Sequence, residues 1–306
     1  MSIQEKLKLI QRISGLTQEK LAQKFKVSFA TLNSWMNSRS VPHKKAQTVI
    51  DELYKEYTGQ KVIPENVLQA KKAVLVSKGQ KFKNILKFIL DRPDLYDEFL
   101  LVLTYNTNSI EGSTLNENET GAILFQNKVL PNKSLTEQIE VKNHQAAFHF
   151  LMQYLKKAEK IDEDLILKLH SILMNGIRDD AGFYRRHGVR IVGANVPTAN
   201  YVKVPELMEN LVKEINAREK DVIRHVSKIH YSFEKIHPFS DGNGRIGRLV
   251  LCAMLICANF PPALIKQENK QLYYTYLQKA QTSGDSSLLE DFMCEAIMDG
   301  FKIIEK

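Results

Sequence analysis

Apolar side chains recur along most of this chain at the three- to four-residue spacing of α-helices. Near the N-terminus, Leu21 and Phe25 fall on one helical face, behind Thr17, a residue suited to cap a helix. A three-residue turn then leads to a second helix over residues 29–37, with Ser28 as its cap. The pattern predicts a helix-turn-helix.

The helical spacing is interrupted once in the rest of the chain. Residues 189–204 are rich in β-branched side chains around a Gly-Ala-Asn sequence, which favours a β-hairpin. We therefore predict a mainly α protein in which an N-terminal helix-turn-helix domain precedes a helical bundle that carries one β-hairpin.

The pattern divides the chain into three parts. We expect a helix-turn-helix domain at 1–57, a linker and connecting helix at 58–95, and a second, helical domain at 96–306. The longest apolar run, residues 249–260, falls short of the roughly 18 residues that span a bilayer. It predicts a buried helix, and we expect no membrane partner.

Composition adds a charge asymmetry to this picture. The chain has 306 residues and a net charge of +8, and residues 1–60 hold ten Lys or Arg against five Asp or Glu. Such a surplus indicates a polyanionic partner for that part, or a solvated basic face with no partner. Three cysteines and the lack of a signal-peptide pattern favour a cytoplasmic protein without a disulfide framework or zinc site.

The most specific motif is HPFSDGNGRIGR at residues 237–248, which lies between two apolar helical segments. Gly242 and Gly244 permit backbone conformations in which the N–H groups around Asn243 point into one concavity. This concavity would lie at the N-terminus of the next helix, where anions bind. The motif predicts a phosphate site.

Ionisable side chains flank this predicted phosphate site. His237 ends the preceding helix and is neutral near pH 7, so it can accept a proton. Asp241 can hold Mg²⁺ against phosphates. Arg245 and Arg248 lie three residues apart on one helical face and can bind phosphate oxygens. The run as a whole indicates nucleotide chemistry.

The same run resembles the signature of the Fic family, whose members generally transfer AMP from ATP to a protein hydroxyl. The resemblance implies a general base at His237, a Mg²⁺ ligand at Asp241, a phosphate cradle over residues 242–245, and a partner for the γ-phosphate at Arg248. Doc-type relatives that transfer a phosphoryl group carry lysine in place of Gly244. The resemblance therefore implies ATP and Mg²⁺ as ligands, and AMP transfer.

Two further segments extend the resemblance. Residues 181–193 resemble the family's flap, a hairpin to which a target protein adds a strand and presents a hydroxyl, while Val192 and Gly193 approach the nucleotide. A plain hairpin is the alternative. Tyr273 matches a tyrosine that contacts the nucleotide in relatives, and Gln281 stands where many have asparagine.

Upstream, residues 107–112 read TNSIEG and resemble the Fic inhibitory motif. The resemblance implies that Thr107 and Glu111 are inhibitory residues. A Glu111 carboxylate paired with Arg248 would occupy the guanidinium that should hold the γ-phosphate. We expect an autoinhibited enzyme.

Residues 1–57 resemble the DNA-binding domain of the Cro and phage-repressor family, although Lys26 and Ser38 stand where that family usually carries glycine. The resemblance implies DNA as a partner and is compatible with a homodimer, as is the Fic resemblance. A small helical module used for packing or protein contact is the alternative. The expected contacts to bases come from Ser28, Thr31, Asn33 and Ser34, and those to phosphates from Arg39, Lys44 and Lys45.

Three functions are compatible with these motifs. The leading hypothesis is an autoinhibited protein adenylyltransferase that modifies a Ser, Thr or Tyr hydroxyl. One rival is the removal of AMP from a modified protein, with Glu111 positioning water. The other is a transcription regulator whose Fic domain senses nucleotide without catalysis.

Overall fold

The structure, a computed structural model, describes residues 1–157, 160–190 and 196–306. These ranges contain fifteen α-helices, short 3₁₀ helices at Tyr201–Lys203 and Gln267–Asn269, and no β-strand. The helices are α1 (Ile3–Ser14), α2 (Gln18–Phe25), α3 (Phe29–Met36), α4 (Lys44–Tyr57), α5 (Glu65–Gly79), α6 (Ile85–Leu90), α7 (Pro93–Glu111), α8 (Glu117–Gln126), α9 (Leu135–Leu155), α10 (Glu163–Leu173), α11 (Val204–Ile215), α12 (Val222–Ile236), α13 (Asn243–Cys257), α14 (Lys270–Ser283) and α15 (Ser287–Ile304).

The two N-terminal helices predicted from apolar spacing are present as α2 and α3, and the helix-turn-helix domain stays a prediction. The side chain of Thr17 accepts a hydrogen bond from the N–H of Lys20, and that of Ser28 accepts one from Thr31. Both residues are therefore helix caps, as predicted. Helix α3 ends at Met36, and Asn37 is its C-cap.

The N-terminal helices share a core of their own. Leu7, Leu21, Leu32 and Ile50 are buried in it, and they come from α1, α2, α3 and α4 respectively. This core meets the rest of the molecule at α14, where Leu272 packs against both apolar clusters. The placement of domain boundaries at 57 and 95 stays a prediction.

The segment predicted as a linker and connecting helix contains α5 and α6. Leu68, Leu75, Ile85 and Ile89 from these helices are buried in the large core. A flexible linker would leave these side chains in water. Their burial stabilises α5 and α6 against the large core.

The predicted β-hairpin at 189–204 is only partly covered, because residues 191–195 lie outside the described ranges. Its C-terminal end is helical, with a 3₁₀ helix over Tyr201–Lys203 and Val204 as the first residue of α11. Pro205 follows in the first turn of α11, where a missing N–H costs nothing. The predicted boundary at 204 is therefore wrong, and the hairpin stays a prediction.

Helix α13 is the centre of the large core. It packs against α7, α9, α10 and α12, and every residue from Leu249 to Ile256 is buried. The prediction of a buried helix is confirmed for residues 249–256, whereas α13 ends at the exposed Cys257 and residues 258–260 lie beyond it. Among the helices that the structure describes, none is both long and apolar enough to cross a membrane.

Two residues that stand where the repressor family has glycine adopt left-handed conformations. Lys26 and Ser38 both have φ of 55°. This conformation costs a side chain with a Cβ roughly 1–2 kcal/mol. The turn after α2 is therefore formed against a local strain.

We expect Lys26→Gly to stabilise the N-terminal helices by about 0.5–1 kcal/mol, because glycine removes the strain and loses part of that gain through its freer unfolded chain. Urea unfolding followed by circular dichroism measures the change. The matched control is Gln23→Gly, on the exposed face of α2, which should destabilise by about 1 kcal/mol. Equal destabilisation by both variants would contradict the strain.

Candidate active site

His237 ends α12 in a left-handed conformation, with φ of 52°. Its ring is largely covered, with 17% of the side-chain surface exposed. The ring Nδ1 lies 3.2 Å from the carbonyl oxygen of Glu234. Since a carbonyl only accepts, Nδ1 carries the proton and donates it there, which leaves the lone pair of Nε2 free.

The buried guanidinium of Arg185 holds the chain around His237. Its Nε donates to the carbonyl oxygen of His237 at 2.7 Å, and one Nη donates to that of Ile236 at 3.3 Å. The backbone N–H of Arg185 donates to Pro238 at 3.0 Å. Carbonyls at a helix end have no intrahelical partner, so this one side chain satisfies two of them.

The loop that joins α12 to α13 is held from both sides. The Asn243 side chain accepts from the N–H of Phe239 at 2.8 Å and donates to its carbonyl at 2.9 Å. On the other side, the ring of His170 stacks on Phe239 at 3.7 Å between centroids, and its Nε2 lies 3.1 Å from the carbonyl oxygen of Asp241. The side chain of Asn243 therefore braces the loop, and only its backbone N–H is left for a phosphate.

The N-terminus of α13 has no side-chain cap. Gly242 is its N-cap with φ of 77°, and no side chain caps the first turn. The N–H groups of the following residues are therefore available to an anion, as the predicted phosphate nest requires.

The carboxylate of Asp241 lies beside this uncapped turn, half exposed, with Oδ1 accepting from the N–H of Gly242 at 2.6 Å. Mg²⁺ is typically held by one or two carboxylates together with substrate phosphates. One exposed carboxylate next to an uncapped helix N-terminus fits that donor set.

The two arginines of the motif have different surroundings. Arg245 is buried, and its Nη1 donates to Glu140 of α9 at 2.6 Å, with Asp241 at 3.6 Å. Its guanidinium is thus occupied by a carboxylate, and the phosphate contact predicted for it stays a prediction.

Arg248 reaches α7 instead. Its Nε donates to Oγ1 of Thr107 at 2.7 Å, and its Nη2 donates to Oε1 of Glu111 at 2.6 Å. Only 9% of the Arg248 side chain is exposed, against 33% of Glu111. Thr107 and Glu111 are four residues apart and face the same way, and α7 ends directly after them because Gly112 takes a left-handed C-cap, with φ of 110°.

Gly244 provides the space for this ion pair. A Cβ at this position would collide with Oε1 of Glu111 and lie 3.1 Å from Nη1 of Arg248. The residue that separates this motif from the lysine-bearing relatives is thus also the one that admits the Glu111 carboxylate.

Charge and burial shift the pKa values in the site. Burial lowers the pKa of His237 below its ordinary value of 6.5. Burial raises the pKa of Glu234, one turn earlier in α12, to about 7. Burial also raises the pKa of Glu111, but the adjacent Arg248 guanidinium outweighs this and holds that pKa below its usual range. At pH 7, the site therefore holds a neutral imidazole and an ionised Glu111–Arg248 pair.

Residues 160–255 match the family model described as the Fic/DOC family. This part of the chain is similar to Fic domains. The matched stretch runs from α10 to α13 and includes the whole of residues 237–248.

Curated proteins are similar to this chain over part of its length. Protein adenylyltransferase Fic of Nematostella vectensis is 33% identical over 185 residues, which are 58% of this chain and 42% of that protein. Protein adenylyltransferase fic-1 of Caenorhabditis elegans is 34% identical over 189 residues, which are 60% of this chain and 37% of that protein. The chain thus spans about two fifths of the length of these relatives.

Solved structures share the fold of most of this chain. Fic-1 (residues 134–508) of C. elegans superposes with a TM-score of 0.68 at 22% identity, covering 94% of this chain and 84% of that one. A Fic domain-containing signaling protein of Bacteroides thetaiotaomicron gives a TM-score of 0.65 at 23% identity, covering 77% of this chain and 98% of that one.

Four other residues were predicted to contact the nucleotide. Tyr273 is buried, with its hydroxyl 2.6 Å from Nε2 of His230, and the amide of Gln281 donates to the carbonyl of Tyr231 at 3.2 Å. Val192 and Gly193 lie outside the described residues. The nucleotide contacts of all four stay predictions.

Sequence reasoning missed the residues that hold the site in shape. Arg185, His170 and Glu140 are 52, 71 and 105 residues from the groups they bind in the motif. The local pattern around each is that of an ordinary helix or loop, so no spacing rule could have found them. Tyr274 was also missed, although it is partly exposed and its hydroxyl lies 3.5 Å from the carbonyl of Ile110, next to Glu111.

We expect the imidazole of His237 to titrate with a midpoint below 6.5, because burial disfavours its charged form. Since the folded pKa lies below the unfolded one, the neutral ring contributes stability above pH 6.5 that is lost as the pH falls. NMR titration of the histidine ring resonances measures the midpoint, and His237→Ala assigns the signal. A midpoint above 6.5 would contradict the effect of burial.

Proposed function

We propose that the chain is an autoinhibited protein adenylyltransferase that transfers AMP from ATP to a Ser, Thr or Tyr hydroxyl of a target protein. The observation that carries the proposal is the placement of His237, the uncapped N-terminus of α13 and the Arg248–Glu111 pair around one loop. The names of the relatives, which are 33–34% identical over part of the chain, support the same activity.

In this reaction His237 acts as the general base. Its Nδ1–H is held by the carbonyl of Glu234, so Nε2 accepts the proton of the target hydroxyl as the oxygen attacks the α-phosphorus. The bond from that phosphorus to the leaving pyrophosphate breaks as the new P–O bond forms. The lowered pKa of His237 keeps the base neutral at pH 7.

The uncapped first turn of α13 binds the phosphates of ATP in this proposal. Its N–H groups are oriented before the nucleotide arrives, so they stabilise negative charge without reorganisation. Mg²⁺, held by Asp241 when bound, supplies further charge neutralisation on the phosphates and the leaving pyrophosphate.

Inhibition follows from competition for Arg248. With its Nη2 on Glu111 and its Nε on Thr107, the guanidinium cannot also bind the γ-phosphate in a bidentate manner. ATP that binds beside the intact pair is therefore held in an orientation that does not favour attack at the α-phosphorus.

We expect Glu111→Gly to raise ATP-dependent self-labelling roughly 10- to 100-fold, because a charged hydrogen bond contributes about 1.5–3 kcal/mol. Labelling with ATP that carries the label on its α-phosphate, followed by mass spectrometry of the added AMP, measures the change.

Two controls accompany this measurement. Glu117→Ala, on the first turn of α8, should leave labelling unchanged, and Glu111→Gly combined with His237→Ala should abolish it. Equal labelling of wild type and Glu111→Gly would overturn the autoinhibition.

We also propose that α2 and α3 bind DNA, with the start of α3 in the major groove. The exposed positions of Arg39, Lys44 and Lys45 support phosphate contacts. Ser28 and Thr31 bond each other at 2.8 Å, as do Ser34 and Ser40 at 2.7 Å, so base contacts by these hydroxyls would exchange one partner for another.

We expect the full chain to retard a duplex from its own promoter region in a gel shift. Lys44→Ala with Lys45→Ala should lower the slope of log affinity against log salt by about 0.9 for each lysine that contacts a phosphate. The control pair Lys83→Ala with Lys87→Ala, exposed residues outside the N-terminal helices, should leave the slope unchanged. The same slope for both pairs would rule out DNA contact through α4.

A further inference from the structure

An open groove of about 470 Å³ lies beside the loop that carries His237. One wall is the segment that contains Phe183, Arg185 and Arg186, and the other contains Tyr201, Val202 and Pro205. Apart from Arg185, which holds the His237 backbone, these side chains have no part in the chemistry proposed above.

The groove adjoins the backbone that carries His237. Arg185, which lines it, donates to the carbonyl oxygen of His237 at 2.7 Å. On the other wall, the N–H of Ala199 donates to the carbonyl of Lys235 in α12 at 3.3 Å. Both walls are thus attached to the end of α12, so the groove lies beside the helix end that positions His237.

The surface of the groove is apolar and open to solvent. Phe183 is 63% exposed and Val202 is 69% exposed, and Tyr201 and Pro205 are exposed beside them. Large apolar side chains that are grouped in one groove, and left uncovered, are typical of a surface that binds another protein. The contact they offer is to an aromatic or aliphatic side chain.

The residues that line the groove include two arginines and no acidic residue, although the exposed Glu206 follows Pro205 directly. Residues 181–205 contain three arginines and one lysine and neither aspartate nor glutamate. Arg185 is engaged with backbone carbonyls, whereas Arg186, Arg190 and Lys203 are exposed. The nearest acidic residue before the walls, Asp180, is already paired with Arg178 at 2.9 Å. The groove therefore has an apolar floor and a basic rim.

We propose that this groove binds the target protein through an acidic segment that carries an aromatic or aliphatic anchor a few residues from the modified hydroxyl. The apolar anchor covers Phe183 and Val202, and the carboxylates pair with Arg186 and Lys203. The inference rests on the proposed AMP transfer. A flap that pairs with a target strand would select the substrate through its backbone alone. The groove adds a preference for particular side chains.

Fluorescence anisotropy tests the groove without reference to catalysis. The protein is the full chain with Glu111→Gly, and the probes are two labelled peptides that share a threonine and a phenylalanine and differ only in flanking glutamates or lysines. We expect the glutamate peptide to bind about fivefold more tightly at low salt, since exposed ion pairs contribute modestly. Arg186→Glu with Lys203→Glu should invert this preference.

Further variants separate the apolar contact from charge. Val202→Asp should weaken the glutamate peptide severalfold, whereas Val129→Asp, at an equally exposed valine outside the groove, should not. Equal binding of the two peptides, or a glycine-for-phenylalanine peptide that binds as well as the original, would overturn the proposal. An oligonucleotide that displaces the peptide at equal charge concentration would show a general polyanion surface and would overturn it as well.

The AMP-transfer assay distinguishes failure of the groove proposal from failure of the proposed function. If Glu111→Gly labels itself but modifies both peptides equally, the groove proposal is wrong and the proposed function stands. If the glutamate peptide binds with the expected charge dependence but neither peptide nor protein is labelled, the groove is a binding surface and the proposed function is wrong.

Discussion

The buried guanidinium of Arg248 is the group on which the rest of the site depends. It belongs to α13, the most buried helix of the large core, and a charge taken out of water there needs a partner. Thr107 and Glu111 supply that partner from α7. A nucleotide phosphate is the other anion that suits the same place, so the need to neutralise one cation links the end of α7 to the phosphate site.

A second constraint is the reversal of the chain between α12 and α13. The loop places the His237 imidazole at the end of α12 and uncapped N–H groups at the start of α13. His237 has a strained left-handed backbone, and no side chain caps the first turn of α13. Side chains from elsewhere stabilise it: Arg185 binds the carbonyls, and His170 stacks on Phe239. The geometry of the candidate site thus depends on buried contacts from side chains far away in the sequence.

Local pattern was enough for the elements that local physics controls. The caps at Thr17 and Ser28 and the buried helix over residues 249–256 follow from side chains within a few positions of each other. The predicted C-terminal end of the hairpin is wrong because the β-branched residues at 201–204 were given more weight than Pro205. Proline is favourable in the first turn of a helix, and Pro205 lies in the first turn of α11. The helical packing of residues 58–95 could not be predicted either, since Leu68 and Leu75 are buried only because α15 folds against α5.

By itself, the sequence determined which chemical groups the site contains, because residues 237–248 place an imidazole, a carboxylate, a glycine-rich turn and two arginines within one helix junction. Tertiary structure alone decided how those groups are used. It directed Arg245 to Glu140 and Arg248 to Glu111, braced the loop with Asn243, and left an apolar groove with a basic rim beside His237. The reason is that an ion pair or a groove is formed by residues a hundred or more positions apart, or by two separate walls, and no local spacing encodes such distances.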